Sequence, residues 1–352
     1  MKFYFSNMHD YLIFEKITDI LQTNYSDQIV FYLDTNICIN LRDLYDIPSE
    51  FKQRNNGTVF KETLFFLREI KKNNIKLNYQ FGIEEACRSK QNFQLNVNKL
   101  IEMKTSIDNI LSMDYLEILE HSLLIRQNNQ IKDNTVIQNS KFESLNQDSS
   151  FKDLVTVMYT ALLKLYLLNM NHNKEKFELM IDYLNFLDKE LNLVSPSYAL
   201  LGHYYLSETS NMKKIIHPRK KEFKEIIHAI WNTSIDLSLT VLIPSKIQND
   251  KGIPIFVTAD ERLYKIFDCI KIRAIFNSGN NSILPPMVEV DLSKIEWNDQ
   301  EFKLISQEED KIMNNRIKRV HQLLQKNKQS IAQNALNLVV KLEDEIKMSL
   351  GN

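Results

Sequence analysis

IVFYLDTN, residues 29–36, opens with five apolar, β-favouring residues in a row and then turns abruptly polar. Continuous rather than alternating hydrophobicity marks a strand buried on both faces, as in a parallel sheet covered by helices. Working outward, residues 60–72 place apolar side chains at helical intervals, and residues 75–79 (IKLNY) alternate as a second strand. The start is therefore β-α-β. A second continuous run, IPIFV at 253–257, ends in Thr258, Ala259 and Asp260. A helix over 261–267 and a strand over 270–276 (IKIRAIF) are expected next, the latter completing the same sheet.

Between these halves the pattern is helical. One long helical region is expected from residue 82 to about 126, then a polar linker over 127–150. Three helical patterns follow, over 151–170, 174–192 and from Pro196, where Ser195 and Pro196 suit the N-cap and first helical positions. Pro218 opens a further helix over about 219–243, ended by the Pro244 and Gly252 breakers. The last fifty residues are charged, with Ile317, Val320, Leu324, Ile331, Ala335, Leu338, Leu342 and Ile346 forming one apolar face. That face is expected to pack on its own domain, with a dimer or partner helix as the alternative. The division is thus an N-terminal helical segment (1–28), an α/β domain in two parts (29–125 and 218–295), a helical insertion (126–217) and a helical C-terminal extension (296–352).

Composition narrows the functional classes. A 43% hydrophobic content is enough for a real core, and only 6 glycines and 7 prolines leave room for long helices. The 44 basic and 45 acidic residues nearly cancel, so nucleic-acid binding must be local. Cys38, Cys87 and Cys269 lack paired metal-ligand spacing and read as reduced, packed thiols. Without a signal-peptide block or a run of about 18 apolar residues, a cytoplasmic protein off the membrane is expected.

The chemistry-bearing residues are carboxylates. Asp34 and Asp260 each terminate an apolar strand, and in an open α/β sheet ligands sit beyond the carboxyl ends of the strands. Each alone could be a helix cap; together they suggest one site. Asp236 interrupts SIDLSLTVLI, an otherwise apolar or hydroxylated helix where an unpaired charge is costly. Asn232, Asp236 and Thr240 make a polar stripe beside the apolar Trp231, Ile235 and Leu239. In FGIEEACRSK, Glu84 and Glu85 occupy the first turn after the second strand, Glu85 being preferred although periodicity does not separate them. Gathered carboxylates repel at neutral pH unless they hold a hard divalent cation, typically Mg2+ or Mn2+. Such a cation activates water and neutralises charge on a phosphodiester.

In this order, VFYLDTN, an acidic helix start, WNTSIDLSL and PIFVTADERL resemble the PIN or PIN-like nuclease domain. That family's pattern is a strand-terminal Asp with Thr and Asn, a helical Glu, a helical Asp and a final T-x-D after a strand. The resemblance covers roughly residues 29–90 and 219–276. It implies an α/β fold with a parallel sheet sandwiched by helices, here carrying the large helical insertion and C-terminal extension. It also implies Mg2+- or Mn2+-dependent cleavage of RNA, single-stranded in particular, with a toxin or defence role among the expectations. The catalytic roles fall on Asp34, Glu85, Asp236 and Asp260, the metal on Asp34, Asp236 and Asp260, and hydrogen-bonding support on Asn36 and Thr258.

Rival readings are a PIN-like scaffold that binds RNA or protein without turnover, and a nuclease for structured DNA. His203 reads as a packed core residue, and the basic run over 213–224 as solvated helix charge. A dehalogenase-type phosphatase would want a second Asp where Asn36 stands, and no glycine-rich phosphate loop or G-x-S-x-G elbow is present.

Overall fold

The computed structural model describes residues 4–6, 29–88, 94–123, 149–170, 173–207, 222–246, 253–267, 269–274, 287–292, 295, 297–323 and 331–351. In chain order the first elements are β1 (Tyr4–Ser6), β2 (Ile29–Leu33), α1 (Thr35–Asp46), α2 (Pro48–Gln53), α3 (Thr58–Asn73), β3 (Lys76–Asn78), α4 (Gln80–Cys87), α5 (Val97–Ser112) and α6 (Tyr115–Ser122). Then come α7 (Ser149–Met170), α8 (Lys176–Lys189), α9 (Pro196–Leu206), α10 (Phe223–Lys246), β4 (Ile253–Thr258), α11 (Glu261–Phe267), β5 (Ile270–Ala274), β6 (Met287–Val290), α12 (Asp299–Leu323) and α13 (Ile331–Ser349). The chain divides into two units. The first holds residues 1–147, 243–268 and 275–285, and the second 148–242, 269–274 and 286–352.

In the first unit β2 lies between two parallel partners, β3 and β4, in the order β1-β4-β2-β3. The mostly helical chain therefore has an α/β fold around a small parallel sheet. Phe31, Tyr32 and Leu33 are all buried, as continuous hydrophobicity requires of a central strand. Alternation splits them between two faces. Phe31 and Leu33, with Ile255 and Val257 of β4, join the core that α1, α3, α5 and α6 cover, and Phe31 stacks on Phe66 at 6.5 Å. From the sheet, Tyr32 stacks on Phe81 and Phe256 on Phe267 of α11. Register then sets the site: Leu33 pairs with Val257, so Asp34 and Thr258, one residue on, stand side by side.

Several expectations are corrected here. Within the N-terminal segment, residues 4–6 are a strand, antiparallel to β4, and the rest of 1–28 lies outside the described residues. The long helix from residue 82 is broken. Arg88 is extended and bridges to Leu95, and Asp114 caps α6 reciprocally with Glu117, a D-x-x-E box readable in the sequence. The expected linker lies outside the described residues up to 148, and its last two residues already belong to α7. The strand predicted over 270–276 does not extend the sheet; β5 pairs antiparallel with β6 in the second unit. Among the described residues of 259–269 the helix is the seven-residue α11, a short crossover where a parallel return needs about a dozen residues or more.

The division of the chain is corrected too. The helices expected as an insertion do not stand apart from the C-terminal extension, because each needs the other to bury its apolar face. In the second unit α13 packs on α7 and α12 on α8. Ala335, Leu342 and Ile346 are buried, the Tyr159 hydroxyl donates to Glu343 at 2.7 Å, and Thr160 donates to the Ala335 carbonyl at 3.3 Å. The C-terminal face thus packs within its own unit, although as two helices, and Ile317 of the predicted stripe is exposed. Helix α10 continues through Pro244 to Lys246, and the division between units falls inside it, after Leu242. Its expected start at residue 219 lies outside the described residues. Among the described residues one helical stretch, Lys152–Met170, is long and apolar enough to cross a membrane by length and composition, and it is mostly buried in the fold. The three cysteines are buried thiols outside any disulfide, with Cys269 against the Tyr204 hydroxyl.

Candidate metal centre

The site grows from the carboxyl ends of β2 and β4. Asp34 leaves β2 with extended backbone and caps α1, its Oδ1 accepting from the Thr35 amide at 2.8 Å. Its Oδ2 accepts from the Thr258 hydroxyl at 2.7 Å and from Asn36 Nδ2 at 3.4 Å, and its own amide donates to the Val257 carbonyl at 2.9 Å. Asp34 is 2% exposed. Burial raises its pKa, the three donors pull it down, and the charge of Asp260 raises it again.

Glu85 arrives from α4. The Thr35 hydroxyl donates to Glu85 Oε2 at 2.6 Å and also lies 3.1 Å from the Gly82 carbonyl. Carboxylate oxygens of Glu85 and Asp34 lie within 4.8 Å of each other. Burial, and then the Asp34 charge, push Glu85 up to about 8, while the Thr35 hydrogen bond works the other way. At neutral pH the pair therefore keeps a proton unless a cation takes its place. The neighbouring Glu84 points elsewhere, as adjacent helical residues must. It is buried, bonded to Gln80 at 3.3 Å and to Arg88 at 3.4 Å.

Asp260 is not part of this close carboxylate pair. Its Oδ1 takes the Leu263 amide at 3.4 Å, its carbonyl takes the Tyr264 amide, and its own amide donates to the Thr258 hydroxyl at 3.0 Å. It caps α11, with its charge felt at Asp34. Asp236 stands partly exposed on α10 in the second unit. Its apolar neighbours behave as their stripe predicts: Ile235 and Leu239 are buried and Trp231 meets the Tyr159 ring edge-on at 5.0 Å. Asn232 pairs with His228 at 3.2 Å.

Two residues to which the sequence reading gave no site role shape the site. Thr35 links the two carboxylate-bearing elements, and its signal was its place between Asp34 and Asn36. Gly82 lets α4 approach β2: a Cβ there would lie 2.6 Å from Cys38 Sγ, 2.7 Å from the Leu33 carbonyl oxygen and 3.1 Å from the Asp34 carbonyl carbon. A glycine opening the acidic helix, in a chain with only 6, was the available hint. His203 is a buried core residue of the second unit. Of the basic run, residues 213–221 lie outside the described residues and Lys224 is exposed.

The donor set fits a hard divalent cation: oxygen ligands only, brought together against their mutual repulsion and held by hydroxyl and amide donors. In comparisons with known proteins, no family model, curated sequence or solved structure matches the chain.

Proposed function

We propose that the chain is a metal-dependent nuclease of PIN-like type that hydrolyses phosphodiester bonds in RNA. The observation that carries this reading is the close pair of buried Asp34 and partly buried Glu85 at the carboxyl edge of a parallel sheet, with Glu85 pushed up to about 8. The resemblance gives Asp236 the role of a third carboxylate, and Asp260 adds negative charge beside Asp34. The order of the motifs around Asp34, Glu85, Asp236 and Asp260 supports the PIN-like assignment, and Mg2+ or Mn2+ is the cation such ligands suit.

A bound cation would supply a water of lowered pKa and neutralise charge on the phosphate. The chain's own part is to hold the ligands still. Thr258, Asn36 and the Thr35 amide orient Asp34, and the Thr35 hydroxyl orients Glu85. Cleavage of single-stranded RNA with Mg2+ or Mn2+, set beside flap DNA, tests the reading. RNA cleavage lost on chelation is the expected result; absence of cleavage with either metal refutes the activity, and preference for flap DNA refutes the substrate.

The electrostatics predict a pH signature without turnover. Glu85 keeps its proton in the fold up to about 8, whereas in the unfolded chain it loses it near 4.3. Between those values the unfolded state binds fewer protons, so metal-free stability falls as pH rises. Melting of metal-free protein is expected to show Tm declining from pH 5 to 8, the slope flattening with saturating Mn2+ and in Glu85→Gln. Metal uptake near pH 7 is expected to release about one proton per site, read by calorimetry in buffers of different ionisation enthalpy. An unchanged slope in Glu85→Gln would show that another group sets it.

A further inference from the structure

The second unit contains a groove of about 280 Å3 whose lining includes Leu187, Pro196, Ile312 and Met313 with two acidic residues, Glu309 and Asp310. Glu309 is held from behind. Trp297 Nε1 donates to His203 Nδ1 at 3.1 Å, and His203 Nε2 faces Glu309 Oε1 at 3.2 Å. With Nδ1 accepting, the ring proton sits on Nε2 and is donated to the carboxylate. His203 is 2% exposed, its ring edge-on to Trp297, so this relay is rigid and aims an acidic group at an apolar groove. Asp310 is exposed and makes no ion pair among the described residues.

The apolar surface continues along α12. Asp310, Met313 and Ile317 are spaced three and four apart and share one helical stripe, with Met313 49% and Ile317 58% exposed. From Glu309 to Ile317 the helix runs about 12 Å. A compact ligand would fill the groove and leave that strip uncovered; an elongated one covers both. The adjoining carboxylates select against an acidic occupant and for a cationic one.

We propose that this surface docks a basic amphipathic helix of a partner protein. Its apolar side chains enter the groove and cover Met313 and Ile317, and its lysines or arginines meet Glu309 and Asp310. This interaction is independent of the nuclease reading.

The test uses two fluorescein-labelled helical peptides with one leucine face, the remainder lysine in one and glutamate in the other. Binding to the full chain is read by anisotropy at physiological salt. The lysine peptide is expected to bind about tenfold more tightly, two rim charges each contributing modestly. Asp310→Lys, at an exposed position outside the His203 relay, is expected to erase most of that preference, and Asp310→Lys with Glu309→Lys to invert it. Met313→Ser is expected to weaken the lysine peptide by about tenfold. Circular dichroism and Trp297 fluorescence show whether each variant folds. Equal binding of the two peptides, or an unchanged preference in Asp310→Lys, overturns the proposal. So does self-association of the chain that Met313→Ser dissolves, which would make the occupant a second copy. Saturable binding of octylammonium with neither peptide bound would make it a small amphiphile.

Discussion

Asp34→Asn is expected to lower metal-dependent RNA cleavage by on the order of a thousandfold or more, while leaving the metal-free fold as stable as before or more so. The two effects have one cause. The asparagine keeps the shape and the bond from the Thr35 amide that caps α1, but carries no charge to hold a cation. It also removes the repulsion that, after burial, raises Glu85, so the metal-free Tm holds or rises and the decline of Tm with pH weakens. Asp260→Asn is expected to cost less, about ten- to a hundredfold, because Asp260 caps α11 and acts on Asp34 from a distance. Cleavage rates and melting curves for both variants are the measurement. Wild-type cleavage by Asp34→Asn would remove the proposed centre.

Gly82→Ala is the second large effect, and it acts on packing. The added methyl meets one movable atom, Cys38 Sγ, and two that belong to the backbone of β2 and its exit, the Leu33 oxygen and the Asp34 carbonyl carbon. Backbone cannot step aside without moving the strand end that carries the site. Overpacking of this kind costs about 3 kcal/mol, a fall in Tm of roughly 6–12 °C for a unit of this size. Glu85 rides on the same helix, so Mn2+ affinity measured by calorimetry is expected to fall with it. Cys38→Ala in addition should restore only part of the loss, since the Leu33 oxygen stays in place. A neutral Gly82→Ala would mean that α4 sits farther from β2 than the structure has it.

What could be read in advance follows from how local each signal is. The strand over residues 29–33 was legible because burial on both faces demands an uninterrupted apolar run, and Asp34 because a charge directly after such a run is conspicuous. Register could not be read. That Leu33 pairs with Val257, which delivers the Thr258 hydroxyl to Asp34, depends on two segments far apart in the chain. Glu84 and Glu85 were inseparable for a related reason: which face of α4 turns to β2 is decided by the close approach at Gly82, a property of the packed pair rather than of the helix. Strand β5 misled because a short apolar run says strand without saying whose. The C-terminal stripe was read correctly at Ala335, Leu342 and Ile346, which are buried, and failed at Ile317, on the exposed strip of α12 beyond the groove.

The packing of α13 on α7 has a consequence for how the chain is made. Tyr159 and Thr160 find their partners at Glu343 and Ala335, separated from them by about half of the polypeptide. A ribosome adding about 5–20 residues per second therefore leaves this long apolar helix without its cover for on the order of ten seconds or more. During that interval the stretch has the length and composition of a membrane-crossing segment. Contacts so distant in sequence are slow to form, so during synthesis this apolar helix is exposed to every other hydrophobic surface it meets before its own partner exists.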